Sequence, residues 1–371
     1  MISVAEPILG PQEQSAIAGV LGGGWITQGK GVRDFELAFA KRHGAADAVA
    51  VNSCTAALHL VFAALDIGPG DEVIAPSLTF VATVNAILYT GAQPVLVDIE
   101  ALDAPVISIA AAKASITPRT RAIVLMHFAG HLTDPEPWRE LAARHGLWLV
   151  EDSAHAVGLP GVGQYGDAAA FSFYGNKNMT TAEGGMVLMR DPARLERARR
   201  MRGHGMTSSA HDRLIARSSH YDVIELGYNY RLDDLRASLG LVQLGRLDGF
   251  NRTRAALVAG YHERLDRLRN SYPDIVVPKP RSGQSAHHIM PILVPELKDR
   301  DAVADAMRTA GVQTTIHYPP VHQLTYYRSR MPGLELPVTE TFHRRALTLP
   351  LHPRMTETDL DNVVAALVAA L

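Results

Sequence analysis

Cysteine is almost absent: Cys54 is the only one in 371 residues. That excludes an internal disulfide framework and a cysteine-rich metal cluster, and it fits a reducing compartment. No apolar run reaches the roughly 20 residues that a membrane helix needs; the most apolar late stretch, Val363–Leu371, falls far short. The opening MISVAEPILGPQEQSAIAGV contains Glu6 and Pro7 and no basic leader, so it does not read as a signal peptide. The expectation is a soluble, cytoplasmic protein with no membrane contact. Neither charge sign dominates, with 36 Lys and Arg against 38 Asp and Glu and a formal net charge of −2. A generally basic nucleic-acid binder and an acidic tail are both excluded. An anionic ligand must therefore be caught by a local site and not by the field of the whole protein. There is no low-complexity segment and no fixed-period repeat.

What is present is a large apolar fraction, 47%, in a chain long enough for two domains at about 150 residues each. Short apolar runs alternate with runs of helical period. Strands are predicted at Ala48–Asn52, Val73–Pro76, Pro94–Asp98, Ala122–Met126 and Leu147–Glu151. Helices are predicted between them at Thr55–Leu65, Phe80–Tyr89 and Pro137–His145, the last closed by Gly146 as a C′ glycine. This alternation predicts an α/β fold with a parallel sheet and right-handed crossovers. Ala168–Phe173 and Gly185–Met189 also read as strands, but the link between them is too short for a helical crossover. The sheet should thus be mostly parallel with one antiparallel strand. Leu232 to Leu268 reads as two helices or as one bent near Gly245 or Gly249. Strands Ile275–Val277, His288–Val294 and Thr314–His317 follow, with helix Arg300–Ala310 and a last helix opening at Thr356 with Asp359 in a capping box. The domain boundary is placed near 245: a large domain over 1–245 and a smaller C-terminal α+β domain over 246–371.

In open α/β sheets ligands bind beyond the carboxyl ends of the strands. Four predicted ends carry distinctive residues: Ser53-Cys54-Thr55-Ala56 opening a helix, Ser77-Leu78-Thr79-Phe80, Asp152-Ser153-Ala154-His155, and Tyr174-Gly175-Asn176-Lys177. Taken singly, Asp152 reads as a helix cap, Phe80 as core, Thr55 as an N-cap and Lys177 as a solvated surface lysine. Taken together at one sheet edge they match the needs of pyridoxal 5'-phosphate. A lysine forms a Schiff base and a carboxylate pairs with the ring nitrogen. A helix N-terminus binds the phosphate, and an aromatic side chain stacks on the ring.

The stretches NSCTAALHL (52–60), GPGDEVIAPSLTFVATVNAILYTGAQPVLVDIE (68–100), VEDSAHAVG (150–158), FSFYGNKNMTTAEGGMV (171–187), LGYNYRLDDLRASLG (226–240) and HYPP (317–320) resemble the DegT/StrS-type sugar aminotransferases, which are fold-type I pyridoxal-phosphate enzymes. The resemblance runs from GWITQGKGVRDFE to LPLHPRMTETDLD, nearly the whole chain. It implies that Lys177 is the Schiff-base lysine, that Asp152 faces the ring nitrogen and that His155 lies near the ring hydroxyl. It implies that Phe80 lies against the ring, and that the Thr55-Ala56 backbone and Ser172 cradle the phosphate. Asn229 would reach the phosphate from the second subunit of a homodimer, and His317 and Tyr318 would lie near the sugar. No residue is assigned to a metal. The implied reaction is ping-pong transamination from an amino acid, L-glutamate, to a keto sugar in nucleotide-linked form; a cyclitol ketone is the runner-up acceptor. The sequence departs from the family at Tyr174, where many relatives have histidine, and at Cys54, where glycine is common.

Other signals are weaker. Gly161-Val-Gly163-Gln-Tyr-Gly166 is a literal G-x-G-x-x-G and the sole support for an NAD-dependent oxidoreductase, but a strand follows it where a helix should open; it reads as a tight loop. His127 and His131 lie four apart with a glycine between, so a loop is expected and not a zinc helix. The arginine run from Arg194 to Arg202 reads as a solvated helix face. Arg202, Arg213, Arg231 and Arg328 are candidates to meet a nucleotide diphosphate. A regulator that binds the cofactor without turnover is disfavoured by the joint presence of Lys177, Asp152 and His155. A cysteine desulfurase is disfavoured because Cys54 sits in the predicted phosphate turn and not on a mobile loop.

Overall fold

The strand segments EVIAP, AAAFS and GMVLM are buried at every residue. Strands buried on both faces require helices on both faces, which is the setting of a covered parallel sheet. The computed structural model describes the backbone of all 371 residues and the side chains of all but Ala210 and Asp212. In chain order it comprises α1 (Pro11–Gly23), α2 (Lys30–Arg42), β1 (Val49–Val51), α3 (Cys54–Ala64), β2 (Glu72–Pro76), α4 (Val81–Tyr89), β3 (Gln93–Val97) and α5 (Ile109–Ala114). Next come β4 (Thr120–Met126), α6 (Pro135–His145), β5 (Trp148–Asp152), β6 (Ala168–Ser172), β7 (Gly185–Met189), α7 (Pro192–Arg202) and α8 (Ala210–Ile215). The remainder is α9 (Asp234–Leu268), β8 (Met290–Leu293), α10 (Arg300–Thr309), α11 (Thr325–Arg328), α12 (Pro337–Arg345), β9 (Ala346–Leu349) and α13 (Glu357–Ala370).

The main sheet has the order β1-β7-β6-β5-β4-β2-β3. β7 pairs antiparallel with both β1 and β6, and every other pairing is parallel. The single reversed strand is the one expected from the short link after β6. The other six strands share a direction, so the ends of β1, β2, β5 and β6 open on one edge.

The C-terminal part differs from expectation. Ile275–Val277 and Thr314–His317 make only isolated bridges, Val276 to Leu293 and Thr315 to Thr348. Prolines crowd both segments (Pro278 and Pro280; Pro319 and Pro320), and proline removes the ladder donor. The second sheet is β8 with β9, antiparallel. β9 went unread because it follows α12 directly, with no turn residue between them.

α9 is one unbroken helix of 35 residues, about 50 Å at 1.5 Å per residue. It runs through Gly245 and Gly249, whose Cα atoms face open space. Its first residue also starts a second helix. Asp234 Oδ1 accepts the N–H groups of Gly29 and Val32 at 2.9 Å, and Oδ2 accepts that of Gly31 at 3.1 Å. A Cβ at Gly29 would stand 2.9 Å from that carboxylate, which accounts for glycine there. One core packs around the main sheet; another joins Leu257, Tyr261 and Leu265 of α9 to β8, β9, α10 and α13. The N-terminal segment uses both: α1 packs along α9, while Ile2 hydrogen-bonds Gly311 and Gln313. No described helix is long and apolar enough to cross a membrane.

Candidate active site

Asp152 ends β5 and is 4% exposed. Thr83, one turn into α4, donates its hydroxyl to Asp152 Oδ2 at 2.6 Å, and the Ala154 N–H donates to Oδ1 at 3.2 Å. The carboxylate makes no ion pair among the described residues. Burial raises its pKa, opposed first by the Thr83 hydroxyl and then by the Ala154 N–H. A buried carboxylate held from both sides without a cation is a socket for one, such as a protonated ring nitrogen.

Lys177 lies in the loop between β6 and β7. Burial of its amine lowers the pKa to about 8, with Cys54 and Asp152 partly restoring it. His155 is 1% exposed; its Nε2 meets the Tyr318 hydroxyl at 2.8 Å, while its Nδ1 is buried without a partner. His317 is held through Nδ1 to the Thr348 hydroxyl at 3.0 Å. Its pKa falls to about 4, through burial and then the charge of Lys177. Phe80 caps α4 and is 54% exposed, with its ring 5.7 Å from that of Tyr318.

The Phe80 loop and the 317–323 segment are joined by a buried chain of hydrogen bonds. Glu340 accepts from His322 Nε2 at 3.1 Å, which leaves His322 Nδ1 to accept the Ser77 hydroxyl at 2.7 Å. Ser77 is fully buried, so this chain is a tie and offers no open hydroxyl to a substrate.

The N-terminus of α3 faces the same edge. Ser53 caps it, and its hydroxyl accepts the Ala56 N–H at 3.1 Å. Ala56's donor is therefore occupied internally. The first N–H groups of the helix, at Cys54 and Thr55, have no acceptor within it. β7 passes close by: a Cβ on Gly185 would meet the Ser53 carbonyl at 2.6 Å, which explains the second glycine of EGG. Ser172, at the end of β6, is buried and accepts the Tyr174 N–H.

Lys177, Asp152, His155, Phe80, His317 and Tyr318 are thus brought to one edge with the α3 N-terminus and Ser172. Asn229 runs beside the strand end that leads into α3, next to Asn52. Its side chain is exposed, and its backbone carbonyl meets Asn52. Two neighbours went unread in the sequence: Thr83, which orients Asp152, and His288, whose Nε2 lies 3.4 Å from Lys177 Nζ. Thr83 follows Phe80 by three residues, one helical turn on, and that spacing was a usable signal; His288 had none.

The weaker motifs find structural uses. The GVGQYG loop folds around the buried Glu151 carboxylate, which accepts the N–H groups of Gly163, Tyr165 and Gly166 at 3.1, 2.9 and 2.9 Å. His127 Nε2 meets the same carboxylate at 3.0 Å. The arginine run is not a freely solvated face. Arg202 is buried on Glu36, Arg199 pairs with Glu36 and Asp47, and Arg194 and Arg197 share Asp66. The acidic partners come from distant segments, so the spacing of the run carries no sign of them. Arg202 is thereby excluded as a partner for substrate phosphate.

The unpaired buried carboxylate, the half-buried amine of lowered pKa, the orphaned His155 nitrogen and the free helix N-terminus fit pyridoxal phosphate. Fold and site together define a pyridoxal-phosphate-dependent transferase. Residues 7–368 match the DegT/DnrJ/EryC1/StrS aminotransferase family, and the chain belongs to that family as a sugar aminotransferase. It is similar to the aminotransferase TlmJ from Streptoalloteichus hindustanus, at 33% identity and TM-score 0.90 over 100% of this chain and 98% of that one. It is similar to Helicobacter pylori PseC, an aminotransferase of pseudoaminic acid biosynthesis, at 28% identity and TM-score 0.91 over 100% and 98% of the two chains. It is also similar to NtdA from Bacillus subtilis, solved with bound PMP, at 29% identity and TM-score 0.89 over 98% and 82%.

Proposed function

We propose that this enzyme moves an amino group from L-glutamate to the keto group of a nucleotide-linked sugar, in two half-reactions at one site. The observation that carries the reading is the half-buried Lys177 beside the buried Asp152 at the open edge of the sheet. When bound, pyridoxal phosphate supplies the aldehyde that takes up the amino group and a ring that accepts electrons when the donor's α-proton leaves.

The residues have distinct parts. Lys177 is the lysine that bonds the cofactor's aldehyde, and once released it moves the α-proton. It must be neutral to accept a proton, and a pKa near 8 leaves a usable neutral fraction at physiological pH. Asp152, kept in place by Thr83 and Ala154, would hold the ring nitrogen. Phe80 would cover the ring, and His155 would lie near its hydroxyl. The backbone at Thr55-Ala56 and the Ser172 hydroxyl receive the phosphate, with the free Thr55 N–H as donor and Ala56 as backbone wall. His317 and Tyr318 face the sugar, and Arg213, Arg231 or Arg328 its diphosphate.

We also propose a homodimer in which Asn229 completes the partner's phosphate site. Support comes from the exposed apolar run before it: Leu214, Ile215, Tyr221, Val223, Ile224 and Leu226, the last 80% exposed. Patches of this kind mark interaction surfaces. We further propose the division into 1–245 and 246–371, supported by the separate core around β8 and β9, and a cytoplasmic location, which suits the free thiol of Cys54.

The test is a visible absorption spectrum of the purified protein with pyridoxal phosphate, before and after L-glutamate. A yellow band that fades with glutamate and returns with a nucleotide-linked keto sugar is expected, and Lys177→Arg should show no turnover. A band that returns only with a cyclitol ketone would move the acceptor class. Normal turnover by Lys177→Arg would overturn the assignment.

A further inference from the structure

Behind Lys177 stands a histidine whose protonation is dictated by groups that have no choice. Val157 O, a backbone carbonyl, can only accept, and it takes the Asn251 Nδ2–H at 3.2 Å. Asn251 therefore presents its Oδ1 to Asn178 Nδ2, at 2.8 Å. The same Asn178 nitrogen gives its other hydrogen to a second backbone carbonyl, Ala286 O, at 2.7 Å. Asn178 is thereby left with only its Oδ1 facing His288 Nδ1, at 2.9 Å. An amide oxygen accepts and does not donate, so His288 carries its proton on Nδ1 and its Nε2 is bare. That bare nitrogen is the atom 3.4 Å from Lys177 Nζ.

The ring is also fixed in place. His288 is 3% exposed and its ring packs 4.2 Å from that of His155. Its N–H donates to Ala129 O at 3.0 Å, and the buried Arg254 donates to its carbonyl at 3.1 Å. Protonation of Nε2 is opposed by burial and then by the nearby Lys177 and Arg254 cations. Lys177 itself is faced by Cys54 and Asp152 as well as by these histidines.

We propose that His288 is a positioning residue for amino transfer: its bare Nε2 accepts one N–H of the free Lys177 amine and so fixes where the amine's lone pair points. A lysine side chain has four rotatable bonds and a freely turning amine. Holding one N–H removes the His288 direction from those open to the lone pair. Asn178, Asn251 and the two carbonyls serve as the frame that sets the tautomer. This inference rests on the reading of Lys177 as the proton-moving lysine.

The test uses the full-length protein with three histidine states: wild type, His288→Phe, which keeps a ring without an acceptor, and His288→Gln, whose amide oxygen can restore one. With the cofactor removed, the pH dependence of Lys177 carbamylation by cyanate reads the amine directly. Loss of an acceptor for the ammonium should lower the Lys177 midpoint in His288→Phe and return it in His288→Gln. With the cofactor present, kcat should fall about 10- to 100-fold in His288→Phe with KM little changed, less than the roughly 10²- to 10⁴-fold cost of losing the proton carrier itself, and recover in part in His288→Gln. If His288→Phe does not fold, 15N-histidine NMR of the wild type decides: a proton on His288 Nδ1 supports the proposal, and one on Nε2 overturns it. An unchanged Lys177 midpoint and kcat in a folded His288→Phe also overturn it. A wild-type protein that develops no visible band with pyridoxal phosphate would instead remove the reading of Lys177, whatever the cyanate titration shows.

Discussion

At the scale of single residues, the site is set by what burial does to ionisable groups. Lys177 is a cationic side chain whose amine has been brought out of water, so its pKa sits at about 8 against an unperturbed 10.5. The sign of the linkage follows. Below pH 8 the lysine is charged in both folded and unfolded chains, and the cost of burying that charge is felt in full. Between about 8 and 10.5 the unfolded chain binds more protons, so stability rises with pH as the cost is relieved. Lys177→Met should therefore stabilise the cofactor-free protein at pH 7, by up to roughly 3.5 kcal/mol for a shift of about 2.5 pH units at about 1.4 kcal/mol per unit, and by much less at pH 10. Thermal unfolding at the two pH values checks this; an equal gain at both would show that the amine is not desolvated. Lys177, Asp152, His155 and Tyr318 were legible in the sequence because each lies in a distinctive local string. His288 was not, because it stands 111 residues from Lys177 and its neighbouring sequence carries no pattern. The glycine motif at 161–166 was legible only as a loop; its purpose, wrapping the Glu151 carboxylate with three N–H groups, depends on β5 lying beneath it.

At the scale of elements, helix ends do more than close helices. Asp234 begins α9 and also supplies the acceptors for the first turn of α2 through three N–H groups. Asp234→Ala would leave these donors unpaired in a largely buried place. A loss of roughly 2–4 kcal/mol is expected, given about 1 kcal/mol per lost cap bond and more for buried unpaired donors. Urea unfolding measures it; a change under 0.5 kcal/mol would mean that water replaces the carboxylate. The same scale explains which strands could be read. The main-sheet strands are continuous apolar runs bounded by turns, whereas Ile275–Val277 and Thr314–His317 are apolar runs beside prolines that reach only single bridges.

For the whole molecule, the question is whether one chain holds a complete site. Asn229 is exposed beside Asn52, and the apolar run from Leu214 to Leu226 precedes it in the chain. If two chains share sites, mixing Lys177→Arg with an Asn229→Asp variant that cannot hold the phosphate should restore activity. In a mixed dimer of twofold symmetry one site carries both lesions and the other carries none, so random exchange returns about a quarter of wild-type activity. Absence of any recovery, with mixed dimers shown by mass, would place each site within one chain.

The sequence by itself determined the alternation of strands and helices, the single reversed strand and the cofactor, and it singled out the lysine and aspartate proposed to serve it. These are local facts: apolar periods, turn residues and short strings whose chemistry is carried by neighbours in the chain. Only the tertiary structure decided that the arginine run is consumed by ion pairs with Glu36, Asp47 and Asp66. It alone brought Thr83 to Asp152 and His288 to Lys177. Such contacts depend on which strand ends share an edge and on what a buried donor or acceptor finds across it, and neither is written in the residues on either side.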